Sequence, residues 1–302
     1  MEHIYIIGLG ALGILYASKL HDVFPNAVKI IADKNRISNY KSAGIIINEK
    51  PYDFDFVTPN NALQQSADLI IIAVKYAQLN EAIESILPFI GEETVVMSLL
   101  NGISSEGIIA DKIGEKHVLP AYGVGMDAVR EGTNVRYTNP GRFVFGEKKN
   151  DELSARVIAI KNIFEIANIP FQIPENMERS LWFKFMLNVG VNQVSAVLKA
   201  PYGLFQQAGY ARELILMAAI EVVELSKCCG IYLNQNDLDE FVRIMNTLDP
   251  AGKTSMLQDV EAKRQTEVDF FAGTVIELGK KYNVPTPVNE VLFRLIKLME
   301  GN

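Results

Sequence analysis

The stretch "IYIIGLGALGILYASKLH", residues 4–21, decides the fold, because three patterns meet in it without a gap. Residues 4–7 form a short apolar run rich in β-branched and aromatic side chains, which suits a buried strand. Gly8, Gly10 and Gly13 then fall in GxGxxG spacing, and a helical pattern follows at once. A bare GxGxxG says little, but one that leaves a strand and opens a helix is the phosphate cradle of a βαβ unit. Gly8 allows the tight turn, Gly10 lets the backbone approach a pyrophosphate, and Gly13 lets the helix pack on the strand. The helix N-terminus faces the anion. The whole turn, Gly8, Leu9, Gly10, Ala11, Leu12 and Gly13, is therefore assigned to cofactor binding. A glycine-rich turn without a ligand is the competing reading, and the second strand at the right distance argues against it. The expected ligand is a dinucleotide.

That second strand, "AVKIIAD", ends at Asp33, twenty residues after Gly13. An acid there commonly accepts hydrogen bonds from the adenosine ribose, which favours NAD. Lys34 and Arg36 follow immediately and suit a 2′-phosphate instead, with Asp33 turned aside to pair with one of them. A solvated loop explains the basic pair equally well, so this segment leaves the choice of cofactor open.

Working outward, the first half of the chain carries "DLIIIAV", "TVVMSLL" and "HVLPAYGV" between helical segments. Continuous apolar runs of this kind suit a parallel sheet covered on both faces. The stretch "VREGTNVRYTNPGRFVFGE" has turn chemistry on either side of alternating residues and reads as a hairpin or two edge strands. Beyond it the period becomes helical, in "ARELILMAAIEVVELSKCCG", "DLDEFVRIMNTL", "SMLQDVEAKRQTEVDFFAGTVIELGKKYN" and "VNEVLFRLIKLMEG". The expected architecture is an α/β, Rossmann-type dinucleotide-binding domain over residues 1–172, followed by an all-helical domain over residues 173–302.

A chain of 302 residues with 49% hydrophobic and 22% charged residues can bury two cores. Its formal net charge of −7, without a block of Lys and Arg, argues against nucleic acid or an anionic membrane as partner and for a small molecule. The N-terminus resembles neither a signal peptide nor a transit sequence. The two cysteines, Cys228 and Cys229, are adjacent and cannot build a disulfide framework, so a reduced, cytoplasmic protein is expected. No metal site is expected either.

The chemistry is expected in "SLWFKFMLNVGVNQVSAV", residues 180–197. Lys184, Asn188 and Asn192 are spaced by four, and each step of four drifts only about 40° around a helix, so the three share a face. Aromatic and aliphatic residues surround them. A lysine embedded there loses solvation, and its pKa is drawn downward toward the range of a general acid. A lysine snorkelling to water beside two exposed amides fits the same pattern. His3, His21 and His117 sit at strand or helix ends without a catalytic setting. Farther on, Ser255 and Glu267 could hold a substrate, although a helix cap explains Ser255 and a pair with Lys263 explains Glu267.

Taken together, "IIGLGALG", "AVKYAQ", "LNG", "LWFKFMLNVGVNQVSAV", "TSMLQDVEAKRQTEVDFFAG" and "YNVPTPVNEVL" resemble the ketopantoate reductase (2-dehydropantoate 2-reductase) family, from Ile4 to about Leu298. The resemblance implies a helical second domain like that of 6-phosphogluconate dehydrogenase. It also implies NADPH-dependent reduction of 2-dehydropantoate to (R)-pantoate in pantothenate biosynthesis. By motif, Lys184 corresponds to the catalytic lysine, Asn188 and Asn192 to substrate-binding asparagines, Ser255 to a serine on the substrate carboxylate, and Glu267 to an acid that orders the site. Lys75, Gln78 and Asn101 correspond to cofactor contacts, Asn101 near the nicotinamide. This chain departs from the pattern in carrying Asp33 where many relatives have arginine, which admits NADH, and "LNG" where "QNG" is frequent. A homodimer is compatible with the resemblance. The alternatives are a related dehydrogenase acting on another 2-oxo acid and a non-catalytic dinucleotide sensor.

Overall fold

Four of the apolar runs form four of the five strands of a parallel sheet in the computed structural model, which describes residues 1–60 and 65–301. In chain order the first part of the molecule is β1 (Ile4–Ile7), α1 (Ala11–Val23), β2 (Val28–Ile31), α2 (Lys34–Ala43), β3 (Ile45–Ile47), β4 (Lys50–Tyr52), β5 (Asp55–Val57), β6 (Leu69–Ile72), α3 (Leu79–Ile86), β7 (Val95–Ser98), α4 (Ser105–Ile113), β8 (Ala121–Met126), β9 (Val129–Glu131), β10 (Asn134–Arg136), β11 (Pro140–Phe145), α5 (Ala155–Ile166) and β12 (Phe171–Gln172). The main sheet has the order β5-β2-β1-β6-β7, with every pairing parallel. All residues of β1, β6 and β7 are buried, which is why these strands read as unbroken apolar runs rather than alternations. From β1 the chain builds outward to β2 and β5, then returns to β6 on the other side. The order therefore reverses between β1 and β6, the place where open α/β sheets bind ligands.

The fifth run, "HVLPAYGV", departs from the expectation of another parallel strand. Val118 makes only an isolated bridge to Val96, and the strand proper starts at Ala121, antiparallel to β11 in a separate sheet ordered β12-β11-β8. Pro120 stands between the two segments and has no N–H to continue a ladder. The hairpin expected near residue 132 is present as β9 and β10, turning at Gly132 with φ +63°. It extends a third sheet, β4-β3-β10-β9, whose β3–β4 turn uses Asn48 and Glu49 in the left-handed region. That turn lacks the Asn-Gly or Asp-Gly signature and was not legible beforehand. Tyr16 of α1, Phe143 of β11 and Phe164 of α5 pack in sequence with tilted rings, their centroids 4.3 and 4.8 Å apart, and tie the small sheet to the first helix.

The helices that follow are α6 (Met177–Leu198), α7 (Tyr210–Cys228), α8 (Gln235–Thr247), α9 (Ser255–Glu261), α10 (Ala272–Tyr282) and α11 (Pro287–Met299). The stretch expected as one long helix from Ser255 is broken. α9 stops at Glu261, Lys263 adopts φ +52°, and a single turn at Val268–Phe270 precedes α10. By contacts, the chain divides into a unit of Met1–Leu100 with Ser105–Met177 and a unit of Asn101–Ser104 with Glu178–Asn302. The described helices include none long and apolar enough to cross a membrane.

Two features hold the helical unit. A Cβ built on Gly190 of α6 would lie 2.7 Å from the Phe241 ring and 2.9 Å from the Ile215 carbonyl, so only glycine permits this approach of α6 to α7 and α8. A buried polar network then joins three helices. Glu221 of α7 accepts from the backbone N–H groups of Val288 and Asn289 and from the Asn289 amide, while Asn289 Oδ1 accepts from Gln193 of α6. Removing a buried partner strands several groups at once. Glu221→Ala should lower the unfolding free energy by about 2–4 kcal/mol, which urea denaturation followed by circular dichroism would measure.

Candidate functional site

The cradle after β1 has the geometry its glycines imply. Gly8 adopts φ +97°, and a Cβ there would fall 2.6 Å from the Ala73 carbonyl oxygen at the end of β6. A Cβ on Gly13 would overlap the Gly8 carbonyl oxygen at 1.8 Å. Both glycines are thus demanded by the fold itself. Gly10 differs: a Cβ there would meet only Ala73 O, at an ordinary 3.7 Å. Among the described residues nothing requires glycine at position 10, and the surface above it is open enough to admit a ligand. Gly10 is also the N-cap of α1, without a side-chain cap, and the first turn carries no acid. The leading N–H groups, starting at Ala11 and Leu12, have no intrahelical partners and attract an anion.

The remaining first-unit candidates stand around the carboxyl ends of the same strands. Asp33 caps α2 by accepting from Arg36 N at 2.8 Å, and its other carboxylate oxygen lies 3.3 Å from Arg36 Nε. The turned-aside arrangement is the one observed, so the acid is already engaged by a cation. Ile31, Asp33, Arg36, Val74 and Gln78 line a small cavity beside the cradle, the side on which an adenosine would rest. Lys34 is exposed next to it. Lys75 is exposed after β6, at the start of the short turn that carries Gln78. These residues fit a dinucleotide. Among the described residues no group of His, Cys, Asp and Glu is placed to hold a metal ion.

In the helical unit, α6 runs unbroken through Lys184, Asn188 and Asn192, as the spacing requires. Gly190 lies about 200° round the helix from Asn188, so the packed and polar faces are opposite. Lys184 and Asn188 are half-buried and Asn192 is buried. Lys184 Nζ donates to Asn101 Oδ1 at 3.1 Å, and Asn101 Nδ2 donates to Glu267 Oε2 at 3.0 Å. Only one orientation of the Asn101 amide allows both bonds, since an ammonium can only donate and a carboxylate only accept. The three side chains form one directional chain. No side-chain hydrogen bond engages Asn188 or Asn192 among the described residues, so both amides remain available.

Asn101 gains its partners here, and the competing explanations of Glu267 and Ser255 fall. Asn101, grouped above with the dinucleotide residues, has its side-chain partners in the helical unit. Gly102 at φ +95° lets the loop press against Phe270, with a Cβ there only 3.3 Å from that carbonyl, and Ile103 packs into the helical core. Glu267 is not in a helix with Lys263, because the chain has already turned away at φ +52°. Its turn is held from both sides. Glu300 accepts from Thr266 N and Oγ1, each at 2.7 Å, and Lys297 pairs with Asp269 at 2.6 Å. Ser255 is not the cap of α9. Thr254 is, accepting from Leu257 N at 3.1 Å, which leaves Ser255 exposed at the first helical position. Sequence reasoning passed over Arg130, whose guanidinium donates to the Leu9 carbonyl across 121 positions; no local motif marks such a contact.

Comparison with known proteins agrees over nearly the whole chain. Residues 4–150 match the family model described as ketopantoate reductase PanE/ApbA, and residues 176–300 match its C-terminal counterpart. The 2-dehydropantoate 2-reductase of Aquifex aeolicus is 27% identical, covering 98% of this chain and 96% of its own. A dimeric ketopantoate reductase from Staphylococcus aureus superposes with a TM-score of 0.83 at 19% identity, covering 99% of each chain. A D-mandelate dehydrogenase solved with NADH and anilino(oxo)acetate gives 0.87 at 23% identity, covering 99% of this chain and 98% of its own. These two structures establish likeness of fold.

The contrast between the glycines is testable. Gly10→Ala should leave the melting temperature within a degree or two while weakening NADH binding at least about tenfold. Gly13→Ala should instead lower the melting temperature markedly. Thermal unfolding and NADH fluorescence titration on both variants check the pair.

Proposed function

Because this chain belongs to the ketopantoate reductase family, we propose that it reduces the ketone of a 2-oxo acid to the 2-hydroxy acid, with 2-dehydropantoate as substrate and (R)-pantoate as product. The observation that carries this reading is the chain Lys184–Asn101–Glu267 on the polar face of α6. A bound nicotinamide dinucleotide supplies hydride to the carbonyl carbon. Lys184 supplies the proton that the carbonyl oxygen takes up as its charge develops, and the ammonium's attraction for that oxygen polarises the ketone beforehand. Water returns the proton to the amine. Asn101 fixes the direction of the ammonium, and Glu267 fixes Asn101. Asn188 and Asn192 present amides to the substrate hydroxyl and carbonyl groups, and the exposed hydroxyl of Ser255 binds its carboxylate.

NADPH is the reductant in this proposal, and the pairing of Asp33 with Arg36 supports it. A carboxylate occupied by a guanidinium competes less for ribose hydroxyls and repels a 2′-phosphate less, while Lys34 and Arg36 offer cations to that phosphate and offset Asp33 and the Glu81 that lines the same cavity.

Lys184→Ala should lower kcat by about 10²–10⁴-fold while changing the dinucleotide Kd little, because binding of the nucleotide is assigned to the first unit. Near-normal turnover in that variant would remove Lys184 from the chemistry. For the substrate, kcat/KM across a panel of 2-oxo acids should be highest for 2-dehydropantoate. Activity confined to another 2-oxo acid would move the assignment there, and absence of turnover with tight dinucleotide binding would favour a sensor. For the reductant, kcat/KM should be higher with NADPH than with NADH, and Arg36→Ala should narrow the gap. A strong NADH preference would return Asp33 to the ribose.

A further inference from the structure

The geometry points to Arg130 as a cation of the dinucleotide site, placed to pair with the ligand's pyrophosphate from the far side of the glycine cradle. This rests on the reading of the cradle as a dinucleotide site and adds a residue that no feature of the glycine motif marks.

Arg130 belongs to β9, one arm of the hairpin that turns at Gly132. Its Nε donates to its own turn, at the Gly132 carbonyl, over 2.7 Å. Its Nη1 donates to the carbonyl of Leu9, inside the cradle. Two separate backbone acceptors thus fix the plane of the guanidinium, so ligand binding would not have to order a free side chain. Its partners among the described residues are both neutral carbonyls, and no carboxylate pairs with it. In this same chain Arg156 is matched with Glu147 and Arg179 with Asp237, whereas Arg212 rests on the neutral acceptors Phe205 O, Gln206 O and Asn246 Oδ1, so the missing acid opens the question of charge and the variants below decide it. Here a full positive charge in an acidic protein is held against the turn whose N–H groups face an anion. A guanidinium still has Nη2 to offer, and its fork suits phosphate oxygens.

The competing role is a strap that fastens the hairpin to the cradle through hydrogen bonds alone. Charge separates the two. Arg130→Ala and Arg130→Gln should each raise the Kd for NADH, NADPH and ADP-ribose by about tenfold and by the same factor for all three. Arg130→Lys should stay within about threefold of the wild type, and the salt dependence of NADH binding should be shallower in the Ala and Gln variants. Fluorescence titration gives the first two constants and calorimetry the third, with circular dichroism to check folding; should the Ala variant fail to fold, the Gln and Lys variants decide. Unchanged affinity in Arg130→Gln would overturn the assignment, as would recovery in Gln but not in Lys. An effect confined to NADPH would place the charge at the 2′-phosphate and overturn it too. If wild-type protein binds no dinucleotide, the functional reading itself fails. If it binds and the variants match it, only the role of Arg130 falls.

Discussion

The molecule is organised by the contact of α1 with the end of β1, where the backbones of Gly8 and Gly13 meet with no room for a Cβ at position 13. This approach sets how the first helix leaves the sheet. It therefore fixes where the leading N–H groups point and where the return strand β6 can pass beneath Gly8. The strand order reverses at the same place. Steric exclusion at two glycines thus fixes the turn, and the third, where a Cβ would meet Ala73 O at an ordinary distance, leaves the surface above it open.

The helical unit solves a related problem with the opposite chemistry. α6 must be packed tightly enough to hold a lysine in one direction, yet one of its faces must stay polar. Gly190 brings its backbone against α7 and α8, and the Gln193–Asn289–Glu221 network ties it to α7 and α11. The polar file emerges on the other side. Desolvated amides and carboxylates are costly unless paired, and here the Glu221 carboxylate and the Asn289 amide are paired with complementary groups, while Gln193 donates through Nε2 and leaves its buried Oε1 without a partner among the described residues. The hydrogen bonds of Asn101 extend the same economy to the site, since one amide satisfies a donor and an acceptor at once.

Much of this was legible because it repeats locally. The unbroken apolar runs of β1, β6 and β7, the glycine spacing and the fourfold step of Lys184, Asn188 and Asn192 are short-range signals, and each came out where the pattern placed it. What escaped depended on distant partners or on single backbone angles. Lys263 breaks a helical period that the side chains alone would continue, through a left-handed conformation they do not announce. Thr254 rather than Ser255 caps α9, a choice between neighbours that both carry hydroxyls. The side chain of Asn101 follows a strand of the first unit in sequence but is held by groups 83 and 166 positions away.

That last feature bears on how the protein can be taken apart. The backbone leaves the first unit after Leu100, returns at Ser105 and leaves again after Met177, so the short loop belongs to the helical unit by its contacts while it lies within the first unit in sequence. The two units are consequently not interchangeable cassettes. A helical unit expressed from residue 178 onward would lack the amide that aims Lys184, and a nucleotide unit borrowed from a relative would bring its own version of it.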